Sequence, residues 1–165
     1  MTYRDTRLQA AIVRGHEILV VEMLVDDGRR FWLLPGGGHE RSDVDESAAI
    51  AREVREETTA AVSVERLLIE APAHPDDATY RRYRTFLCHP IAGSEPVAGA
   101  RDGIATICAV RWLHLDDEAS WGRHIAEDRF LYPQLRAIRA ALAAPTETTS
   151  KSTGHCGGAR CARIS

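Results

Sequence analysis

Arg52, Glu53, Glu56 and Glu57 fall within the stretch REVREET, which follows the glycine run of LLPGGGHE. Placed on a helix at 100° per residue with Ile50 as zero, the three glutamates share a sector roughly 100° wide, beside a narrow core face of Ala51 and Val54. Side chains three or four positions apart on a helix have Cβ atoms about 5–6 Å from one another, so like charges in that arrangement repel. Arg52 reaches Glu56 at i,i+4, but Glu53, Val54, Ala60 and Ala61 occupy the positions from which a helical cation could serve Glu57. The stripe therefore calls for a further positive charge. Mg²⁺ or Mn²⁺ suits it, because hard divalent ions take carboxylate oxygens and keep waters that a substrate phosphate can displace. Gly36, Gly37 and Gly38 supply backbone without a Cβ, able to approach a ligand closely and to lend it carbonyl oxygens. A charged stretch alone describes a solvated helix face, and three glycines alone describe a turn; their joint occurrence is what points to a metal and phosphate site.

The elements that must hold these residues follow from periodicity. Thr6–Val13 and Ile18–Val25 are apolar, β-branched runs joined by RGHE, which reads as a hairpin, and a third run, RRFWLLP, follows the DDG turn. GGGHERSDVDES is too rich in glycine and charge for a regular element. It leads into a helix over Glu46–Thr58, whose acidic start suits the positive end of the helix dipole. VSVERLLIEA, YRRYRTFLCHPI and IATICAVRWLHL read as three further strands. Leu131, Leu135, Ile138 and Leu142 recur at helical spacing within Asp128–Ala144, which predicts a closing helix with one face on the core. Strands, one helix, more strands and one helix make an α+β chain with a mixed β-sheet. Residues 1–144 are read as one domain, and the Ser-, Thr- and Gly-rich residues 145–165 as a disordered polar tail.

At 165 residues the chain is long enough to bury a core without disulfides or metal staples. Its 44% apolar content contains no run of the roughly 20 residues that span a bilayer, and its charged beginning has no apolar signal region. These features predict a soluble chain with the cytoplasm as its default location and no membrane partner. The net charge of -3 speaks against nucleic acid as a partner. Cys88 and Cys108 sit singly in apolar segments and read as small core residues, while His155, Cys156 and Cys161 make an incomplete zinc pattern.

The stretch Gly36–Ala61 resembles the signature of the Nudix hydrolases: Gly, five residues, Glu, seven residues, then Arg-Glu-apolar-any-Glu-Glu-any-Gly-apolar. Arg52-Glu53-Val54-Arg55-Glu56-Glu57 matches its second half in full. Two positions depart from it. Counting back from Arg52 puts Val44 where the family has its first glutamate, whereas counting forward from Gly37 puts Asp43 there, with one residue inserted; Asp43 is the better chemical candidate. Thr59 stands where a glycine closes the helix; a threonine adopts a left-handed cap only at a cost, so the helix end is expected to be built differently. The resemblance implies an α/β/α sandwich and metal-dependent hydrolysis of nucleoside diphosphate-linked compounds. A nucleoside triphosphate, ADP-ribose or a nucleotide sugar would be the substrate, with Mg²⁺ or Mn²⁺ as cofactor. Glu53 and Glu57 would be principal metal ligands, Glu56 a further ligand or the group that activates water, and Arg52 the partner that orients a glutamate. Gly36 or Gly37 would add a backbone carbonyl.

Substrate recognition has to come from outside that stretch. ATYRRYRTF offers Tyr80, Arg82 and Arg84 for a phosphate or a base, with Trp32, Tyr83, Phe86, Trp112, Trp121 and Tyr132 as other aromatics. Glu95 and Asp102 are candidates by position for a base supplied from another loop. A hydrolase of dinucleoside polyphosphates or capped RNA, and a nucleotide sensor that does not cut, remain as rival readings. The three intact glutamates argue against the sensor. Oligomeric state is open, a homodimer included.

Overall fold

The computed structural model describes residues 4–98, 101–102 and 105–144. Strand β1 (Arg4–Arg14) lies near the middle of a mixed sheet with β2 (Glu17–Val25), β3 (Arg30–Leu33), β4 (Gly36–Gly37), β5 (Val62–Pro72), β6 (Tyr80–Pro90), β7 (Arg101–Asp102) and β8 (Ala105–His114). The main path runs β5-β6-β1-β2-β8-β7, with β3 on β2 and β4 on β1. β1 runs parallel to β6, from Arg4 opposite Tyr80 to Ile12 opposite Cys88, and antiparallel to β2 and β4. The predicted hairpin and later strands are present, and the sheet is mixed as the α+β reading requires.

Alternation along β1 and β2 feeds two cores. Leu8, Ala10, Ile12 and Leu19 pack with Ala49, Ile50 and Val54 of α1 (Glu46–Thr58), while Ala11, Ile18 and Val20 pack with Leu131, Leu135 and Ile138 of the C-terminal helix. That helix, Leu131–Ala143, follows a 3-10 turn (Glu118–Trp121) and the short α2 (Arg123–Ala126), and is called α3. One helix on each face of a two-faced sheet is the expected sandwich.

α1 has the predicted limits. Asp45 caps its start, taking the Ala48 amide at 2.8 Å. Its end corrects the expectation: Thr59 itself takes the left-handed cap at φ 57, its own amide reaching the Arg55 carbonyl at 2.9 Å, so the cap geometry is kept without the glycine. α3 begins three residues later than the periodicity predicts, because Asp128 stays outside as a cap whose carboxylate accepts the Phe130 and Leu131 amides. The glycine run departs from expectation as well. Gly36 and Gly37 form β4, a two-residue strand opposite Gln9 and Leu8, since they alone can lie this close to β1. A Cβ on Gly36, at φ 144, would overlap the Leu8 carbonyl and stand 2.9 Å from the Gln9 Cα. Residues 145–165, with His155, Cys156 and Cys161, and the Asp102 side chain lie outside the described residues.

Candidate active site

β4 brings the glycines onto the acidic stripe of α1. The Gly36 amide donates to Glu57 Oε2 at 2.9 Å. The Glu53 carboxylate lies against Gly37, where a Cβ would overlap Oε1 and stand 2.7 Å from Oε2. Glu53 and Glu57 are only 8% and 6% exposed, whereas the Glu56 side chain is 51% exposed. The stripe is thus two buried carboxylates clasped by a glycine strand and a third facing solvent. Glu57 accepts a hydrogen bond from a backbone amide 21 residues away in sequence.

Arg52 ties the junction together. Its Nε and Nη2 hold Asp43 at 3.1 and 3.0 Å, Nη2 reaches the Gly38 carbonyl at 3.0 Å, and Nη1 reaches Glu53 at 3.0 Å and Glu56 at 3.3 Å. The two-pronged bond to Asp43 decides between the two ways of counting the loop: Asp43 is engaged, and Val44 is 89% exposed. The Arg52 guanidinium and the Glu40 amide hold the Asp43 carboxyl below its ordinary range, and Asp43 in turn keeps Arg52 firmly protonated. Burial pushes the Glu53 carboxyl up, against the pull of Arg52.

The donor set fits a hard divalent ion. Glu53 and Glu57 are buried carboxylates one helical turn apart, and Gly37 leaves the space that the Glu53 carboxylate needs beneath the loop. Among the described residues, no three carboxylate, imidazole or thiol groups converge on one point, since Arg52 stands between Glu53 and Glu56 and Glu57 turns to Gly36.

The model of the NUDIX domain matches residues 5–134. The chain belongs to the Nudix hydrolase family. Solved structures share its fold. An ADP-ribose pyrophosphatase from Streptococcus suis is 22% identical, with 86% of this chain and 93% of that one covered, at a TM-score of 0.59. A MutT Nudix hydrolase from Burkholderia pseudomallei is 25% identical, with 81% and 95% covered and a TM-score of 0.57. A UDP-X diphosphatase is 21% identical over 86% of this chain but only 64% of its own, at 0.62, so the chain spans under two thirds of that protein. No curated protein matches significantly. The Nudix assignment makes the chain a Nudix-type hydrolase, of a family that uses divalent metals on small nucleotide substrates. Among the described residues no helix is long and apolar enough to cross a membrane.

A separate cleft lies on the α3 side of the sheet, and none of the residues lining it belongs to the junction. Arg7, on β1 beside the junction, donates to the Leu34 carbonyl at 3.4 Å, lies 5.7 Å over the Tyr80 ring, and its charge acts on Glu53. From there a chamber of about 470 Å³ runs past Arg29, Trp32, Tyr80, Tyr83 and Arg129. Tyr80 is therefore at the cleft. Arg82 and Arg84 are not among its lining residues: Arg82 bonds Glu70 at 3.0 Å, and Arg84 pairs with Glu46 and Glu70. Phe86 and Trp121 are core residues, and Trp112 lies beneath Arg14. Glu95 pairs with Arg14 at the C-terminal end of β1, whereas Gly36 and Gly37 lie opposite Gln9 and Leu8 in the middle of that strand. The sequence reading did not find Arg7, Arg29, Phe130 or Arg129, which sit in different segments with no shared spacing. Only the parallel β1–β6 pairing and the α3 entry bring them together.

Proposed function

We infer that the protein hydrolyses a nucleoside diphosphate-linked compound, whether nucleoside triphosphate, ADP-ribose or nucleotide sugar, by water attack on a phosphorus of the pyrophosphate. The observation that carries this reading is the Glu53 carboxylate seated against Gly37 with Glu57 bonded to the neighbouring Gly36 amide. Glu53, Glu57 and Glu56 would hold Mg²⁺ or Mn²⁺, with a carbonyl of Gly36 or Gly37. When bound, the ion supplies charge neutralisation at the pyrophosphate oxygens and a bound water of lowered pKa. Glu56, the exposed carboxylate, would accept the proton of the attacking water. Arg52 fixes the glycine loop, through Gly38 and Asp43, relative to the glutamates. Arg7 and Arg129 provide the guanidinium forks for substrate phosphates.

The test is incubation of the full chain with nucleoside triphosphates, ADP-ribose, nucleotide sugars and dinucleoside polyphosphates, with MgCl₂, MnCl₂ or EDTA, and chromatography of the products. Metal-dependent release of a nucleoside monophosphate is expected. Binding without turnover across the whole panel would hand the site to a sensing role.

A further inference from the structure

Glu46 opens α1 and shares a line with the two clasped glutamates. At 100° per residue, with Ile50 as zero, Glu46, Glu53 and Glu57 fall at about 320°, 300° and 340°. The partner of Glu46 comes from the sheet. Arg84 of β6 pairs with it, and Arg84 Nε stands 3.2 Å from Oε2 of Glu70, its neighbour across the β5–β6 register. The same guanidinium lies 5.5 Å over the ring of Phe86, which belongs to the core beneath α1. With 26% of its side chain exposed and two carboxylates on its fork, Arg84 is committed to the protein. The three acids of this line thus take partners from three places: Arg84 of β6 for Glu46, Arg52 of α1 itself for Glu53, and the Gly36 amide of β4 for Glu57.

Core packing sets how far α1 stands from the sheet, but it resists a roll of the helix poorly. α1 turns Ala49, Ile50 and Val54 to the core, and the alanine has nothing beyond its Cβ to interlock. A helix with its side chains has a radius of about 5–6 Å, so a roll of about 20° carries a carboxylate about 2 Å sideways. A misplacement of about 1 Å at a reacting centre can cost about 10²-fold in rate. A tie on the acidic line itself opposes that roll, and Glu46 lies roughly 10 Å along the axis from Glu53. The Gly36 amide opposes it from the far end of the helix.

We propose that the Arg84–Glu46 pair sets the roll of α1 and so aims Glu53 and Glu57 at Gly36 and Gly37. Arg84 is a positioning residue that acts through Glu46, and its place in catalysis rests on the hydrolase reading above. Arginine suits the task better than lysine, because its fork holds the helix and the edge strand together while an ammonium is a single point of charge.

The test reads metal binding apart from turnover. The full chain, native and as Arg84→Met, Glu46→Ala and the double variant, is titrated with Mn²⁺ while the free-ion signal is followed by electron paramagnetic resonance. Nucleotide turnover and melting temperature are measured on the same samples. Each single variant is expected to weaken Mn²⁺ binding about three- to tenfold and to lower kcat about tenfold, with KM within about twofold, and the double variant to be no worse than the worse single one. Arg82→Ala, which frees Glu70 but leaves Glu46 alone, should bind Mn²⁺ as the native chain does. A lowered melting temperature with Mn²⁺ affinity and kcat unchanged overturns the proposal, since it leaves the pair a role in folding alone. So does a raised KM with kcat kept, which would make Arg84 a phosphate contact, or losses that add in the double variant. Where Arg84→Met does not fold, Glu46→Ala decides by the same two readings. Variants that weaken Mn²⁺ binding in a chain that turns over no nucleotide would sink the hydrolase reading and leave the positioning role standing; turnover indifferent to both residues would do the reverse.

Discussion

The glycine–helix junction and the cleft both touch β1, yet their polar groups are arranged in opposite ways. At the junction one guanidinium binds two carboxylates and a carbonyl besides Glu53, and Glu57 is held by a backbone amide. In the cleft, Gln134 keeps an unpaired acceptor, and the arginines lean on single partners such as Asp27 and Asp76. A site that must hold charges in fixed positions is internally satisfied. A site that must accept a variable group leaves its hydrogen bonds for the ligand.

The sharpest way to break this contrast is at Glu57. Glu57→Gln can still accept the Gly36 amide through its side-chain carbonyl, so its melting temperature should stay close to that of the native chain while metal-dependent kcat falls by about 10²–10³-fold. A kcat loss below tenfold would remove Glu57 from the chemistry. Next comes Gly36→Ala, which drives a Cβ into β1 at a φ that L residues rarely adopt. It should lose about 2–3 kcal/mol in urea unfolding, against about 1 kcal/mol for Gly15→Ala, where φ is 59 and nothing lies near. Equal losses would mean that β4 is not held by close approach.

Smaller effects probe the cleft. Arg129→Ala should raise KM about five- to tenfold with kcat little changed, while Arg82→Ala, tied to Glu70 away from the cleft, should leave both within about twofold. The smallest effect concerns Asp77. Burial works against its carboxylate, but the Tyr83 hydroxyl at 2.6 Å and the Tyr80 and Thr79 amides outweigh it and hold the group below its ordinary value of 3.8. A lowered carboxyl contributes stability that is present above 3.8 and disappears as pH falls through the folded-state value. Asp77→Asn is expected to be less stable than the native chain by about 1 kcal/mol at neutral pH, with the gap closing in acid. A gap that stays constant down the acid limb would show that the charge of Asp77 contributes nothing.

The two regions also differ in how far the sequence discloses them. The α1 limits and the Arg52–Glu56 contact follow from local spacing, because helical neighbours are set by residues within one turn, whereas the left-handed cap at Thr59 was not expected of a threonine. The partner of Glu57 is not local, and the choice between Asp43 and Val44 needed the Arg52 guanidinium in three dimensions. The cleft was least legible. Tyr80, Arg82 and Arg84 alternate along β6, and their spacing alone cannot tell which strand face borders a chamber formed partly by α3. Arg7 carried no signal at all, being one arginine among many at the start of a strand.

The parallel pairing of β1 with β6 has a consequence for how the chain is made. The bond between Gln9 and Thr85 joins residues 76 apart, and the elements that lie between them must be synthesised before β1 gains that neighbour. During that interval β1 offers an open hydrogen-bonding edge with Leu8, Ala10 and Ile12 uncovered, a template for pairing with another chain. Such long-range closure is slow compared with a hairpin. The strand that links junction and cleft in the finished protein is therefore the point at which a growing chain is most exposed to aggregation, and slower translation between Glu46 and Tyr80 would lengthen that exposure.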